Sequence, residues 1–568
     1  MASISEIDAQ GTNKSERNEN ERVEIKVRIG VFFDGTNNNR AQVMLGRMNK
    51  EKKALKKLKK EKDGEEHDIL YKEYKELKDE NDELISAMEL DKLSDKDRSI
   101  IDNATDKAKA KREILTKQSK RLLGIGMPRD YGTHMQSIGY TNIAILERFY
   151  KPTEQTDYAY KVYVTGSGTH AKVSKGIDIT GLAAGQGSAG VVQKVWDAME
   201  AITTKINFFN SDSFSDVEYV FDVFGFSRGA TEARLFVDLC CNRENRPSVL
   251  RKGIKKYNKK FSNKCNSRED KIEFPNQKSI EFNIGIYDTV ASVGVIRNPQ
   301  WAPSPISVPV TGIERVSVTA STFHDENVRD LGLNTVAHDS SVQKVIHICA
   351  LDEYRENFAL CALPDGGQVT QFFIPGIHTD IGGSELPGYR DKISLPIRKE
   401  KHRLKIPKVS PKHDGIEMTL ENLKRLGWLK DDTNTPKDME SDIFYDDDNA
   451  DSVDVQRFSV GIYSNLPLVI MAEKHDDVFE NEKIKGKHAI PDMLPKNFKD
   501  MTAIWKGCSS NYGQCYFPES EEEYKNLRLR YLHFSSSAGS VNGPHYNDNY
   551  YYERILYTEG GTDTLKGS

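Results

Sequence analysis

The chain has 568 residues, 37% of them hydrophobic and 29% charged, with a formal net charge of −5. That length predicts two or three domains, and the near-balanced charge gives no global pointer to nucleic acid or to an anionic membrane surface. No run reaches the roughly 18 uncharged apolar residues of a membrane-spanning helix, and the seven cysteines form no Cys-x-x-Cys pair, so neither a disulfide framework nor a zinc site is expected, although Cys508 and Cys515 could pair; no cofactor is expected.

Met1 to Arg22 is polar and has no apolar core, so residues 1–22 read as a disordered leader rather than a secretory signal. Val23 to Phe33 (VEIKVRIGVFF) is a β-branched and aromatic run ending in the turn-forming stretch Asp34-Gly35-Thr36-Asn37-Asn38-Asn39, which predicts a buried strand and a functional loop. From about 44 to 122 the chain is dominated by Lys and Glu and has no Pro. Leu70, Tyr74, Leu77, Leu84 and Met88 recur in alternating steps of four and three, with Asn81 in the missing position. That is a heptad seam, and it predicts two or three exposed helices inserted after the first strand, breaking near Gly64 and Leu93-Ser94-Asp95. Such an insert is either a solvated decoration or a docking arm.

Beyond it, Ser137 to Tyr150 predicts a helix, Tyr160 to Thr165 a strand, and Gly190 to Ile206 a helix. Val217 to Phe224 predicts a strand, Arg228 to Cys241 a helix, and Ile280 to Tyr287, Val342 to Leu351 and Gln371 to Ile374 further strands. Strands alternating with helices predict an α/β fold, α/β-hydrolase-like, with a largely parallel sheet and helices on both faces. The expected organisation is a catalytic domain over 23–394 and an accessory region over 395–568, which regains strand-like texture near Leu527 to Phe534.

Gly225-Phe226-Ser227-Arg228-Gly229 fits G-x-S-x-G, follows an apolar strand and opens a helix, the setting that exposes a nucleophilic serine on a tight turn. Ser227 is therefore the expected nucleophile, and the Arg228 backbone N–H the expected first oxyanion donor. A serine needs a base and an acid to orient that base. Asp288 ends a strong strand, where such sheets build sites, although Asp also suits a helix N-cap. His378, in Pro375-Gly376-Ile377-His378-Thr379-Asp380-Ile381-Gly382-Gly383, is the expected base. His347 reads as a core residue, His533 and His545 lie in the tail, and Asp380 is the alternative acid. Asp34 and Gly35 belong to a loop that either supplies the second oxyanion donor or merely caps its strand. Gly185-Gln186-Gly187-Ser188-Ala189-Gly190 matches G-x-G-x-x-G but lacks the strand and acid of a dinucleotide site. Trp301 to Val310 is an apolar, proline-rich loop that either packs on the body or touches lipid.

FFDGTNNN, GFSRGA, YDTVASVG and PGIHTDIGG, in that order, resemble the family-one lipase effectors of type VI secretion systems, and Val345 to Glu353 resembles a further stretch of that family. The resemblance spans about 23–385. It implies an antibacterial A-type phospholipase that cleaves ester bonds of bacterial glycerophospholipids with Ser227, Asp288 and His378 as triad. It further implies delivery on a secretion spike protein into the periplasm of rival cells and a cognate immunity protein. The long charged insert matches no family feature, and the tail after 395 matches the family only loosely. A cytosolic carboxylesterase acting on small esters, or a non-catalytic binding protein on a hydrolase fold, would share these motifs.

Overall fold

The computed structural model describes residues 2–7, 23–61, 64–87, 95–123, 139–152, 156–169, 190–210, 214–241, 274–291, 332–364, 367–385, 390–396, 423–429, 442–445, 452–492, 494–497, 505–510, 513–535, 553–558 and 561–566. The stretches 185–189, 292–294 and 301–310, and His545, lie outside the described residues. The chain divides into two compact units. The first is Met1–Ile286, Arg329–Val345 and His475–Lys483; the second is Tyr287–Val328, Ile346–Lys474 and Ile484–Ser568.

In the first unit, β1 (Ala2–Ile7), β2 (Val23–Phe33), β3 (Tyr158–Val164), β4 (Phe214–Phe226) and β5 (Gln277–Tyr287) stand in the order β1-β3-β2-β4-β5. β2 runs parallel to both β3 and β4. β1, inside the stretch read as a leader, pairs antiparallel along the edge of β3. Val27 to Phe33 are all buried, as expected for a strand covered on both faces. Consecutive strand residues point to opposite faces. Accordingly, Phe32 meets Tyr150 at 5.4 Å between ring centroids, and Phe33 meets Phe236 at 6.0 Å. Helices therefore flank both sides of β2.

Between β2 and β3 the described residues include the charged helices α1 (Arg40–Leu58), α2 (Glu65–Ala87), α3 (Asp95–Asp102) and α4 (Lys107–Leu123). Asn39 caps α1 through its side chain, and Gly64, at φ 155°, precedes α2. Along the heptad seam of α2, Leu70, Tyr74 and Leu77 are half-buried, while Asn81 is fully buried. Asn81 donates to Glu51 Oε2 at 2.8 Å and accepts from Arg47 Nε at 3.0 Å. Arg112 of α4 closes the group with a 2.9 Å bond to the same Glu51 oxygen. The seam thus holds its helices through a polar centre, as a buried Asn in such a position does when it fixes register. Further helices of this unit, among the described residues, include α5 (Asn142–Phe149), α6 (Val191–Ile206) and α7 (Arg228–Cys241).

The second unit carries the end of β6 (Val342–Ala350), together with β7 (Leu360–Cys361), β8 (Val369–Ile374), β9 (Arg390–Pro396), β10 (Asp442–Tyr445), β11 (Ser452–Phe458), β12 (Trp505–Ser510), β13 (Gly513–Pro518), β14 (Glu553–Thr558) and β15 (Gly561–Lys566). Their orders are β6-β8-β13-β12, β10-β11-β9 and β15-β14-β7. β14 runs parallel to β7 and antiparallel to β15. β8 leads into the short helix α8 (His378–Gly382). Leu527 lies not in a strand but in a helix, α9 (Glu521–Arg530), which is started by a capping box between Ser520 and Glu523. The local Ser-x-x-Glu signal outweighs the alternation in Leu527-Arg528-Leu529-Arg530. Among the described residues no helix is long and apolar enough to cross a membrane.

Candidate active site

In the first unit, β4 turns into α7 at Ser227, whose φ of 61° lies in the left-handed region. For a non-glycine residue that conformation costs about 1–3 kcal/mol and persists only where surroundings impose it. The flanking glycines do the imposing. A Cβ on Gly225 would lie 2.4 Å from the Gly229 carbonyl oxygen, and one on Gly229 would lie 2.3 Å from Phe33 O and 2.4 Å from Asp34 O. Only glycine lets strand, turn and helix approach so closely. Ser227 itself is 4% exposed, and its carbonyl accepts from Ala230 N–H at 3.0 Å to start the helix.

The loop after β2 lies against this turn. Arg228 Nε donates to Thr36 Oγ1 at 2.7 Å, and Gly35 packs so tightly on the Phe226 ring that a Cβ would come within 2.5 Å. The Asp34 carboxylate is fully engaged elsewhere. It accepts from Thr141 Oγ1 at 2.6 Å, from the Tyr163 hydroxyl, and from the Gly35 N–H at 2.7 Å. Burial pushes Asp34 up to about 6 in spite of those bonds. Burial also lowers Arg228 to about 10 and raises Glu232, one turn along α7, to about 8. Glu232 accepts a hydrogen bond from Ser167.

In the second unit, Asp288 follows β5 at φ 43°, wholly buried. Its Oδ1 accepts from Ala350 N–H at 2.9 Å. Its Oδ2 lies 2.6 Å from His378 Nδ1 and accepts from Arg554 Nη2 at 3.0 Å. Burial alone would raise Asp288, but the Arg554 charge and the bonds from His378 and Ala350 outweigh it and hold the carboxyl well below its usual range. An ionised carboxylate only accepts, so His378 Nδ1 carries the proton and Nε2 keeps its lone pair. Burial lowers His378 from its ordinary value despite the Asp288 bond, leaving the imidazole neutral near pH 7. Glu353 accepts from the His378 backbone N–H at 3.2 Å, and the Phe358 ring stands edge-on at 5.1 Å.

Asp380 does not share His378. Its Oδ1 lies 2.6 Å from His533 Nδ1, and its Oδ2 accepts from the Ile377 and His533 backbone N–H groups, each at 3.0 Å. His347 is buried, with Nδ1 2.6 Å from Gln371 Oε1 and Nε2 accepting from Thr289 N–H at 3.2 Å. Sequence reasoning did not single out Arg554, whose only local signal is a charge inside the apolar strand Ile555-Leu556-Tyr557, nor Thr36 as the partner of Arg228. Among the described residues no cluster of potential metal ligands is present.

A family model described as the catalytic domain of Tle1-like phospholipase effectors of the type VI secretion system matches residues 130–397. Residues 130–397 are a Tle1-like catalytic domain. Ser227, Asp288, His378 and Asp380 fall inside this Tle1-like domain; Asp34, Gly35 and Thr36 precede it, and His533 and Arg554 follow it. Among solved structures, the Tle1 effector bound to the VgrG spike of the type 6 secretion system is 20% identical, covering 98% of this chain and 100% of that one with a TM-score of 0.47. An uncharacterized protein from Pseudomonas aeruginosa is 14% identical, covering 64% of this chain and 42% of that one with a TM-score of 0.19. Neither likeness is close enough to bear on the chemistry of the Tle1-like domain. No curated protein matches the chain by sequence.

Proposed function

We propose that this chain is an antibacterial A-type phospholipase effector that hydrolyses ester bonds of bacterial membrane glycerophospholipids. Ser227 is the nucleophile, His378 the general base and Asp288 the acid that orients it. The observation that carries the reading is the buried His378 Nδ1 to Asp288 Oδ2 bond of 2.6 Å, with the lone pair of a neutral imidazole left on Nε2. The strained turn at Ser227 supports the nucleophile, and the Tle1-like domain supports the lipid ester as substrate class.

His378 Nε2 takes the Ser227 hydroxyl proton as Oγ attacks the ester carbonyl. The tetrahedral oxyanion accepts from the Arg228 N–H at the start of α7, where the helix dipole favours negative charge. The second donor comes from the Asp34–Thr36 loop. The Gly35 N–H is turned onto Asp34 Oδ1, so within that loop the Thr36 N–H is the donor we assign. Collapse returns the proton from His378 to the departing lysophospholipid alkoxide and leaves an acyl-Ser227. Water then attacks the acyl group, His378 takes its proton, and fatty acid departs. The reaction uses no cofactor.

Delivery by a type VI machine on its spike protein, action on the periplasmic side of target bacteria and neutralisation by an immunity protein complete the reading, and all rest on the family. The test is a vesicle assay with phosphatidylethanolamine and phosphatidylglycerol. Wild-type protein should release fatty acid and lysophospholipid in equal amounts, and Ser227→Ala should release neither. Full release by Ser227→Ala would refute the nucleophile. Turnover of short soluble esters alone would favour a carboxylesterase, and inertness on both substrates a binding protein.

A further inference from the structure

We propose that Arg554 is a positioning residue of this reaction, holding Asp288 as a carboxylate and setting the protonation of the Asp288–His378 pair from a strand outside the Tle1-like domain. The proposal rests on the reading of Asp288 and His378 as acid and base. Arg554 lies on β14, 266 residues from Asp288, and the two side chains are 1% and 0% exposed. Its Nη2 bonds Asp288 Oδ2 at 3.0 Å and Phe358 O at 3.3 Å, and its Nη1 bonds Ala350 O at 3.1 Å. Three anchors thus hold one guanidinium, and two of them also flank the pair. The Ala350 N–H grips Asp288 Oδ1, and the Phe358 ring abuts His378. β14 is seated by pairing with β7, so the cation is delivered by the C-terminal hairpin.

The charges around the pair fix what this cation does. Facing His378 are Asp288, Glu353 and Arg355. Glu353 and Arg355 are joined by two bonds of 2.8 Å and largely cancel each other. Facing Asp288 are His378 and Arg554. Without Arg554, a fully buried carboxylate would have no cation of its own. A dry carboxylate resists ionisation, and an uncompensated one raises the proton affinity of the imidazole it touches. Either way the pair would hold a proton to higher pH, and the two sites would titrate as one coupled unit. With Arg554 in place the pair sheds that proton early, and the base is free in mildly acidic surroundings.

The experiment is the pH profile of kcat/KM on vesicles for wild type, Arg554→Gln and Arg554→Lys, with folding checked by circular dichroism. Removing a charge in direct contact with a buried carboxylate should move the acid limb of Arg554→Gln upward by about one pH unit or more. Arg554→Lys, which keeps the charge, should leave the limb in place. An Arg554→Gln profile lowered equally at every pH, with an unmoved limb, would reduce Arg554 to a structural anchor and overturn the proposal. Should Arg554→Gln fail to fold, the wild-type limb decides, read from the rate of fluorophosphonate inactivation against pH. A limb below the ordinary imidazole value of about 6.5 is expected, and one at or above about 7 overturns the proposal. Asp288→Asn separates this failure from that of the triad: undiminished activity there would sink the acid assignment itself, whatever Arg554 does.

Discussion

Gly229→Ala tests whether the turn around Ser227 is held by close backbone approach. In a helix, Gly to Ala ordinarily stabilises by up to about 1 kcal/mol. Here the added methyl would sit 2.3 Å from Phe33 O and 2.4 Å from Asp34 O, both main-chain atoms at the end of β2. Ordinary carbon–oxygen contacts lie near 3.4 Å, so β2 and α7 must part by about 1 Å. Overpacking of this kind costs about 1–3 kcal/mol, which offsets the propensity gain and leaves a net loss of up to about 2 kcal/mol. The shift also moves Ser227 relative to the loop carrying Thr36, and a displacement of about 1 Å near a reacting group can cost about 100-fold in rate. Urea unfolding and kcat on mixed micelles read both effects. Gly486 is the control. It is exposed in the helix Asn481–Lys487, and a Cβ there would meet nothing within 4 Å. Gly486→Ala should therefore be neutral or stabilising by up to about 1 kcal/mol, with activity intact. Gly229→Ala matching wild type in stability and kcat would refute the reasoning.

Asp288→Asn should lower kcat by about 10³–10⁴-fold, because an amide in place of the carboxylate leaves His378 in the wrong tautomer. Asp380→Asn should cost far less, since Asp380 engages His533 rather than His378; equal losses in steady-state kinetics would move the acid role to Asp380. Glu232→Gln should change the pH dependence of stability. The folded value of about 8 lies above the ordinary 4.5. The contribution of Glu232 is therefore full below 4.5 and is lost as pH rises towards 8. Thermal unfolding from pH 5 to 9 should show the Gln variant gaining on wild type as pH rises, and parallel curves would contradict this. Thr36→Val should weaken the link from Arg228 to the loop and lower kcat with little effect on KM; a rise in KM alone would place Thr36 in substrate binding instead.

The parts of the site legible in the sequence are those written locally. A tight strand-to-helix turn needs small residues at fixed offsets, so GFSRG announced its conformation within five positions. The Asp288 and His378 loops stand out in the sequence because each follows an apolar run that ends abruptly. The heptad of α2 was readable because Asn81 left a polar gap in an otherwise regular seam, and that gap turned out to be where Glu51 and Arg112 meet it. What was not legible depends on distant pairing. Nothing near Arg554 signals Asp288, and nothing near His533 signals Asp380, because each contact is made by chain folding across more than 150 residues. The helix at Glu521–Arg530 is hidden for the opposite reason: its capping box is local, but alternation in four residues imitates a strand.

The most direct test of the account is to map a fluorophosphonate adduct by peptide mass spectrometry in wild type and in His378→Ala. The account predicts modification at Ser227 in wild type and a loss of labelling rate of several orders of magnitude without the imidazole. Modification at another serine, or an unchanged rate at Ser227 in His378→Ala, would contradict it.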